Sequence, residues 1–140
     1  MGGCRHEDAL NLSFGDSSLD IIVSNDVYEH VPDINRALYE AHRVLRNGGQ
    51  LVLSVPFYAF NFESIVRAKL INGVVKHTLK PHFHGNPVSV DGSLVFYDFG
   101  WNLLDLLKSV GFKQPKVITY YSQKHGYCGA GKQLLIICTK

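Results

Sequence analysis

The chain has 140 residues, enough for one domain with a buried core, and its 46% hydrophobic and 19% charged content is ordinary for a globular protein. A net charge of +2, with basic residues scattered along the chain, excludes a nucleic-acid footprint. No apolar run reaches membrane-spanning length, and no secretory leader is visible at Met1 to Asp8. Cys4, Cys128 and Cys138 are odd in number and form no C-x-x-C pair, which suits reduced thiols in a cytoplasmic setting. Met1-Gly2 begins like a myristoylation signal but lacks the rest of the pattern.

Residues 1–18 show no helical period and read as an extended segment and a loop, with turn chemistry at Gly15-Asp16-Ser17-Ser18. Residues 19–57 then read as a strand–helix–strand unit. Leu19 and Ile21 to Val23 form a continuous apolar run, the mark of a strand covered on both faces. Asp33 is placed to cap a helix whose buried stripe is Ile34, Ala37, Leu38, Ala41, Val44 and Leu45. Arg36, Glu40 and Arg43 stand on its outer face, spaced to pair with one another. Asn47-Gly48-Gly49 is read as the helix stop, with one left-handed residue. Leu51 to Val55 form the second strand, parallel to the first.

Ligands in such sheets bind beyond the carboxyl ends of the strands, which singles out Asn25, Asp26, Glu29 and His30. Further along, Asn61 is read as the cap of a helix bearing Phe62, Ile65, Val66 and Leu70, ended by Gly73. Lys76 to Asp91 reads as a long lid-like loop. Its His82-Phe83-His84 and His77 invite a metal reading. H-x-H without a spaced third ligand does not make a zinc site, so no metal is assigned and these are read as surface histidines. Residues 98–140 read as a helix and a C-terminal strand pair. Asp98 caps the helix, Trp101, Leu104 and Leu107 form its apolar face, Gly111 ends it, and strands follow at Val117 to Tyr121 and Gln133 to Thr139. Gly126 to Gln133 nearly spells a phosphate-binding loop. However, Gln133 replaces the Ser or Thr, and a β-rich run follows where a helix is required, so it is read as a hairpin loop.

A resemblance rests on several of these residues in matching order: Glu7-Asp8-Ala9-Leu10, Asp16 to Asp20, Asn25 to Asp33, Glu40, and Arg43 to Gly49. Over about fifty residues the sequence resembles the C-terminal half of a class I S-adenosylmethionine-dependent methyltransferase of the type 11 kind. The resemblance implies an α/β, partial Rossmann-like fold: a short, mainly parallel sheet with an antiparallel C-terminal strand and flanking helices. It implies S-adenosylmethionine as cofactor and methyl transfer to an unspecified acceptor. Asp8 and Ala9 would approach the adenine, Asn25, Asp26 and Val27 would lie near the methyl donor, and Glu29 and His30 would begin the adjoining wall. His30 is the candidate base, because imidazole titrates near neutrality.

In that family a glycine-rich loop and a later carboxylate hold the rest of the cofactor. Both fall upstream of Glu7, and Gly2-Gly3 has no strand before it and no helix after it. The expectation is therefore an assembly, either a homodimer or a complex with a separate chain that covers the bare edge of the strand at Ile21 to Val23. Two alternatives stand beside it: a non-catalytic remnant of the fold serving as an interaction module, and a piece of a longer enzyme.

Overall fold

A computed structural model describes residues 5–86, 89–129 and 133–140. Cys4, Gly2-Gly3 and the Met1-Gly2 start lie outside these residues, as do Ala130, Gly131 and Lys132 of the loop resembling a phosphate-binding motif. The architecture is a partial Rossmann-like fold built on a four-stranded sheet in the order β1-β2-β10-β9. Strand β1 (Leu19–Asn25) runs parallel to β2 (Leu45–Ser54), with Ile22 opposite Leu51 and Val23 opposite Val52. Strand β10 (Gln133–Thr139) is antiparallel to both β2 and β9 (Lys113–Tyr120), so three of the four strands share one direction.

Helices α1 (Ile34–Val44) and α2 (Asn102–Val110) pack on one face of this sheet. Asp33 caps α1, accepting a 3.0 Å hydrogen bond from the Arg36 N–H. The apolar stripe of α1 then buries Ala37, Leu38, Ala41 and Val44 completely, and Leu51, Leu53, Ile136 and Cys138 meet it from the sheet. Helix α2 adds Leu103 and Leu107 and ends at Gly111, whose φ of 114° a side chain would strain.

The opposite face of the sheet is open. Ile21 is 52% and Val23 60% exposed, so β1 is covered on one face rather than on two. A continuous apolar run marks a strand flanked on both sides, but it does not supply the flanking layer. Helix α1 also stops earlier than its glycines suggest. Leu45 is already extended, at φ −69° and ψ 139°, and Gly48, at φ 81°, makes a turn within the β2 run instead.

The largest departure falls between the two helices. Residues 61–73 hold no helix. Strand β3 (Ile65–Val66) pairs with β8 (Tyr97–Asp98), and β4 (Ala68–Ile71) forms a hairpin with β5 (Val74–His77). Its two turn residues, Asn72 and Gly73, both have positive φ, the pair of left-handed residues that a tight hairpin with right-twisted strands requires. The segment read as a lid is largely a second hairpin, β6 (Phe83–Asn86) with β7 (Ser89–Leu94). Asp98 does not cap α2. Its buried carboxylate pairs with Arg67 at 2.6 Å across the β3–β8 pair, while Asn102 accepts from the Ser64 N–H and hydroxyl. Trp101 sits at the start of α2, 39% exposed, edge-on to Phe57 and bonded to the Ala59 carbonyl.

The N-terminal segment lies across α1. The Glu40 carboxylate is buried beneath it and accepts from the Leu12 N–H at 3.0 Å and from Arg43 at 2.8 and 3.0 Å. Arg43 also donates to the carbonyls of Leu12 and Phe14 and to Asp16, and Arg36 donates to the Leu10 carbonyl. The pairing read along the helix is therefore present, but it faces the N-terminal segment rather than open solvent.

Two outcomes follow from this clamp. Glu40→Gln is expected to cost about 1.5–3 kcal/mol, the worth of hydrogen bonds to a charged group, measured by denaturant unfolding. Arg43 holds the Glu40 carboxyl below its ordinary value, and Ser13 holds that of Glu7 down to about 2. Both folded-state values lie below the ordinary 4.5, so their stabilisation is complete above that pH and is lost as pH falls through the lowered values, about 2 for Glu7. The midpoint temperature should drop across that window, and Glu40→Gln should flatten the drop.

Candidate functional site

The site lies past the carboxyl ends of β1 and β2. Asp26 leaves β1 with φ 50°, a left-handed conformation that Asp tolerates better than most residues. Its N–H donates to the Ser54 carbonyl at 3.0 Å, and the Ser54 hydroxyl donates to its Oδ1 at 3.1 Å. This fixes the reversal that starts a single 3-10 turn, Tyr28–His30. The turn sends neighbouring side chains in different directions.

His30 faces outward into a cavity of about 330 Å³ shared with Asp8, Ala9, Val27 and Pro32. The N-terminal segment closes that cavity because the Glu40–Arg43 network holds it there. Within the segment, Asp8 Oδ1 accepts from the Leu10 N–H at 2.9 Å, while the Asn11 N–H bonds to the Asp8 carbonyl. The second carboxylate oxygen of Asp8 takes no part in that turn. Glu7 binds the Ser13 N–H and hydroxyl and the Arg5 guanidinium, so it secures the segment rather than facing a ligand.

Asn25 and Asp26 line a second space, of about 540 Å³, with Ser54, Phe57, Tyr120 and Leu135. A third cavity, of about 490 Å³ between α1, α2 and β4, has neither a carboxylate nor a histidine in its wall. Of the six residues assigned to the cofactor from sequence, the structure gathers Asp8, Ala9 and Val27 around His30. It places Asn25 and Asp26 next door and turns Glu29 inward.

Glu29 is completely buried. Its backbone carbonyl accepts from the Phe96 N–H at 2.7 Å, and the Val95 N–H bonds to the His82 carbonyl at 2.9 Å. The Phe96 bond docks the end of the β6–β7 hairpin on the 3-10 turn, the Val95 bond closes the hairpin's own ladder, and His84 comes to the Glu29 carboxylate, with Nδ1 to Oε1 at 3.5 Å. Burial raises the Glu29 carboxyl above its usual range and lowers the His84 imidazole. His84 is thus no surface histidine, whereas His77 is exposed at the end of β5. The spacing between Glu29 and His84 held no sign of this meeting. The signal within reach was Asn72-Gly73, which marks a hairpin and so the arrival of strands where a helix was expected.

Cys138 is buried in the core, which pushes its thiol up to about 12, and Cys128 is exposed and free. Gln133 opens a strand, which removes the helix that a phosphate-binding loop needs. Among the described residues, no helix is long and apolar enough to cross a membrane.

Comparison with known proteins bears on the fold and on the N-terminal third of the chain. Residues 2–53 match the family profile described as a methyltransferase domain. Over 47 residues the chain is 47% identical to a demethylmenaquinone methyltransferase of Staphylococcus epidermidis, a stretch covering 34% of this chain and 20% of that protein. Two solved structures share the fold. The S-adenosylmethionine-dependent methyltransferase from Mesorhizobium loti is 16% identical, with a TM-score of 0.58 over 95% of this chain and 67% of that one. A methyltransferase from Methanosarcina mazei is 23% identical, with a TM-score of 0.53 over 96% of this chain and 65% of that one. The matching stretch thus spans about a fifth of the curated relative.

Residues 2–53 thus resemble a methyltransferase domain, and the chain as a whole shares the fold of class I methyltransferases. The family match ends within β2 and so contains all of the Asp8, Val27 and His30 cavity, whereas the hairpins lie outside it.

The left-handed Asp26 gives a direct check of the local geometry. Asp26→Val, a β-branched residue at positive φ, is expected to lose about 1–2 kcal/mol of stability. Asp26→Gly should lose clearly less. Equal losses in denaturant unfolding would mean that the backbone there is not left-handed.

Proposed function

We propose that this chain takes part in S-adenosylmethionine-dependent methyl transfer, with Asp8, Ala9 and Val27 contacting the cofactor and His30 facing the acceptor. The observation that carries this reading is their convergence on one cavity inside the segment that matches the methyltransferase profile. The cavity fits one end of such a ligand. Asp8 has a carboxylate oxygen outside its own turn, suited to an amino group, and Ala9 and Val27 offer an apolar wall. When bound, the sulfonium supplies an already activated methyl group. The protein's part is to hold donor and acceptor in line, and His30 takes the proton of an acceptor that must lose one.

The reading includes assembly. The free edge of β1 and the exposed Ile21 and Val23 beside it support contact with further polypeptide, a second copy of this chain or a separate partner. Such an interface should bury on the order of 2,000 Å² or more in total. The proposed setting is the cytoplasm, in keeping with free thiols at Cys128 and Cys138.

Calorimetric titration with S-adenosylhomocysteine tests the reading, with the mass measured by light scattering in the same buffer. Micromolar binding by a dimer is expected. Asp8→Ala should weaken it by about 1–3 kcal/mol, the worth of one buried hydrogen-bond acceptor. No binding at millimolar ligand would overturn the role in methyl transfer for this chain, and equal binding by the variant would remove Asp8 from the site.

A further inference from the structure

Beneath the cavity, three side chains meet in a way that the methyl-transfer reading does not use. One ligand atom each from Glu29, His30 and His84 lie within 4.8 Å of one another. Glu29 is wholly buried, and among the described residues neither of its carboxylate oxygens has a hydrogen-bond partner. Leaving such a group bare in a protein interior is costly.

The histidines do not supply the missing donor in the observed arrangement. His30 Nδ1 lies 2.8 Å from the Leu94 carbonyl oxygen, which can only accept, so Nδ1 carries the proton. In the neutral ring, Nε2 then presents a lone pair to Glu29 Oε1 at 3.6 Å. His84 Nδ1 faces the same oxygen at 3.5 Å, and its ring stands edge-on to those of His30 and His82. With His84 in the tautomer that leaves Nδ1 unprotonated, electron pairs from three residues converge on one spot, and a cation placed there satisfies them together.

We propose that Glu29, His30 and His84 form a binding site for a divalent first-row transition metal ion, zinc being the probe of choice. Two imidazole nitrogens and one carboxylate oxygen are a donor set that suits such ions. The bond from His30 Nδ1–H to a backbone carbonyl is the outer contact that orients a metal-binding histidine. The hairpin delivers the third ligand, since the bonds from Phe96 N–H to the Glu29 carbonyl and from His30 Nδ1 to the Leu94 carbonyl hold it over the turn. Tetrahedral bonds of about 2.0–2.2 Å place neighbouring ligand atoms roughly 3.3–3.5 Å apart. A small rotation of the partly exposed His84 ring closes the difference. Three protein ligands leave a fourth position for water or a small oxygen or nitrogen ligand.

The site stands independently of the methyl-transfer reading. Where both hold, His30 joins the ion to the Asp8 cavity and acts through the metal rather than taking a proton itself.

The experiment uses the untagged full chain, stripped with a chelator and titrated calorimetrically with zinc chloride. A parallel titration with cobalt(II) is followed in the visible range. One equivalent should bind, with the strong visible bands of four-coordinate cobalt. His84→Ala should lower the affinity at least about tenfold and abolish those bands, and its half-exposed position in a hairpin makes it a safe substitution for folding. His77→Ala, at an exposed histidine outside the cluster, should leave both signals unchanged. Absence of stoichiometric binding would overturn the site and leave a proton as the cation between the three groups. Unchanged binding in His84→Ala, or an equal loss in His77→Ala, would also overturn it. None of these readouts involves S-adenosylhomocysteine, so failure here and failure of cofactor binding are told apart.

Discussion

The ion pair between Glu40 and Arg43 holds together the parts of this molecule that bear on function. Its carboxylate is buried, and its guanidinium spends its remaining donors on the backbone of the N-terminal segment. A segment with no sheet partner of its own would otherwise have to be ordered by a few apolar contacts against the entropy of some ten residues. With the network in place, the segment lies along α1, and Asp8 and Ala9 stand opposite Val27 and His30. A buried ion pair is weak grounds for stability in general, because desolvation offsets the Coulombic gain. Here the backbone carbonyls and the Leu12 N–H complete its hydrogen bonding, and the effect is to position a chain segment.

The second determinant is the 3-10 turn after β1. In this tight turn Tyr28 and Glu29 are buried, while the His30 ring lies partly exposed between the Glu29 carboxylate and the Asp8 cavity. This splits what a sequence reader groups as one motif into two environments. One is a cavity open toward the N-terminal segment. The other is a buried carboxylate under a hairpin. The hairpin carries little core of its own, with Phe83 about half exposed and Val90 fully so. Its position depends on a few backbone hydrogen bonds, the kind of element that opens at low free-energy cost. A ligand held by Glu29, His30 and His84 would stabilise the docked arrangement by mass action.

The sheet adds a different constraint. One face is sealed by α1 and α2 around a continuous core, whereas the other presents Ile21, Val23 and their neighbours to solvent. Methyl transfer asks for positioning more than for covalent chemistry, so a domain of this kind is only as competent as the completeness of its binding surface. Under the proposed methyl-transfer reading, the uncovered face would therefore matter as directly as the residues in the cavity.

The sequence by itself determined the strand–helix–strand unit, its Asp33 cap, the C-terminal strand pair and the family resemblance. Each of these rests on local periodicity or on a contiguous pattern that needs no distant partner. Through the resemblance it also pointed to Asp8 and Ala9 for the adenine, Asn25 to Val27 for the methyl donor, and Glu29 and His30 for the adjoining wall. Only the tertiary structure decided that Glu40 is buried, that Asp98 pairs with Arg67 instead of capping a helix, and that residues 65–77 hold three short strands and no helix. Helical spacing at Phe62, Ile65 and Val66 was outweighed by β-branched residues flanking a two-residue Asn-Gly turn, a competition that spacing alone does not resolve. The meeting of Glu29 and His30 with His84 lay furthest from the sequence. It joins residues more than fifty positions apart through the backbone hydrogen bond from Phe96 to Glu29, and backbone pairing leaves no mark in the identity of the side chains it brings together.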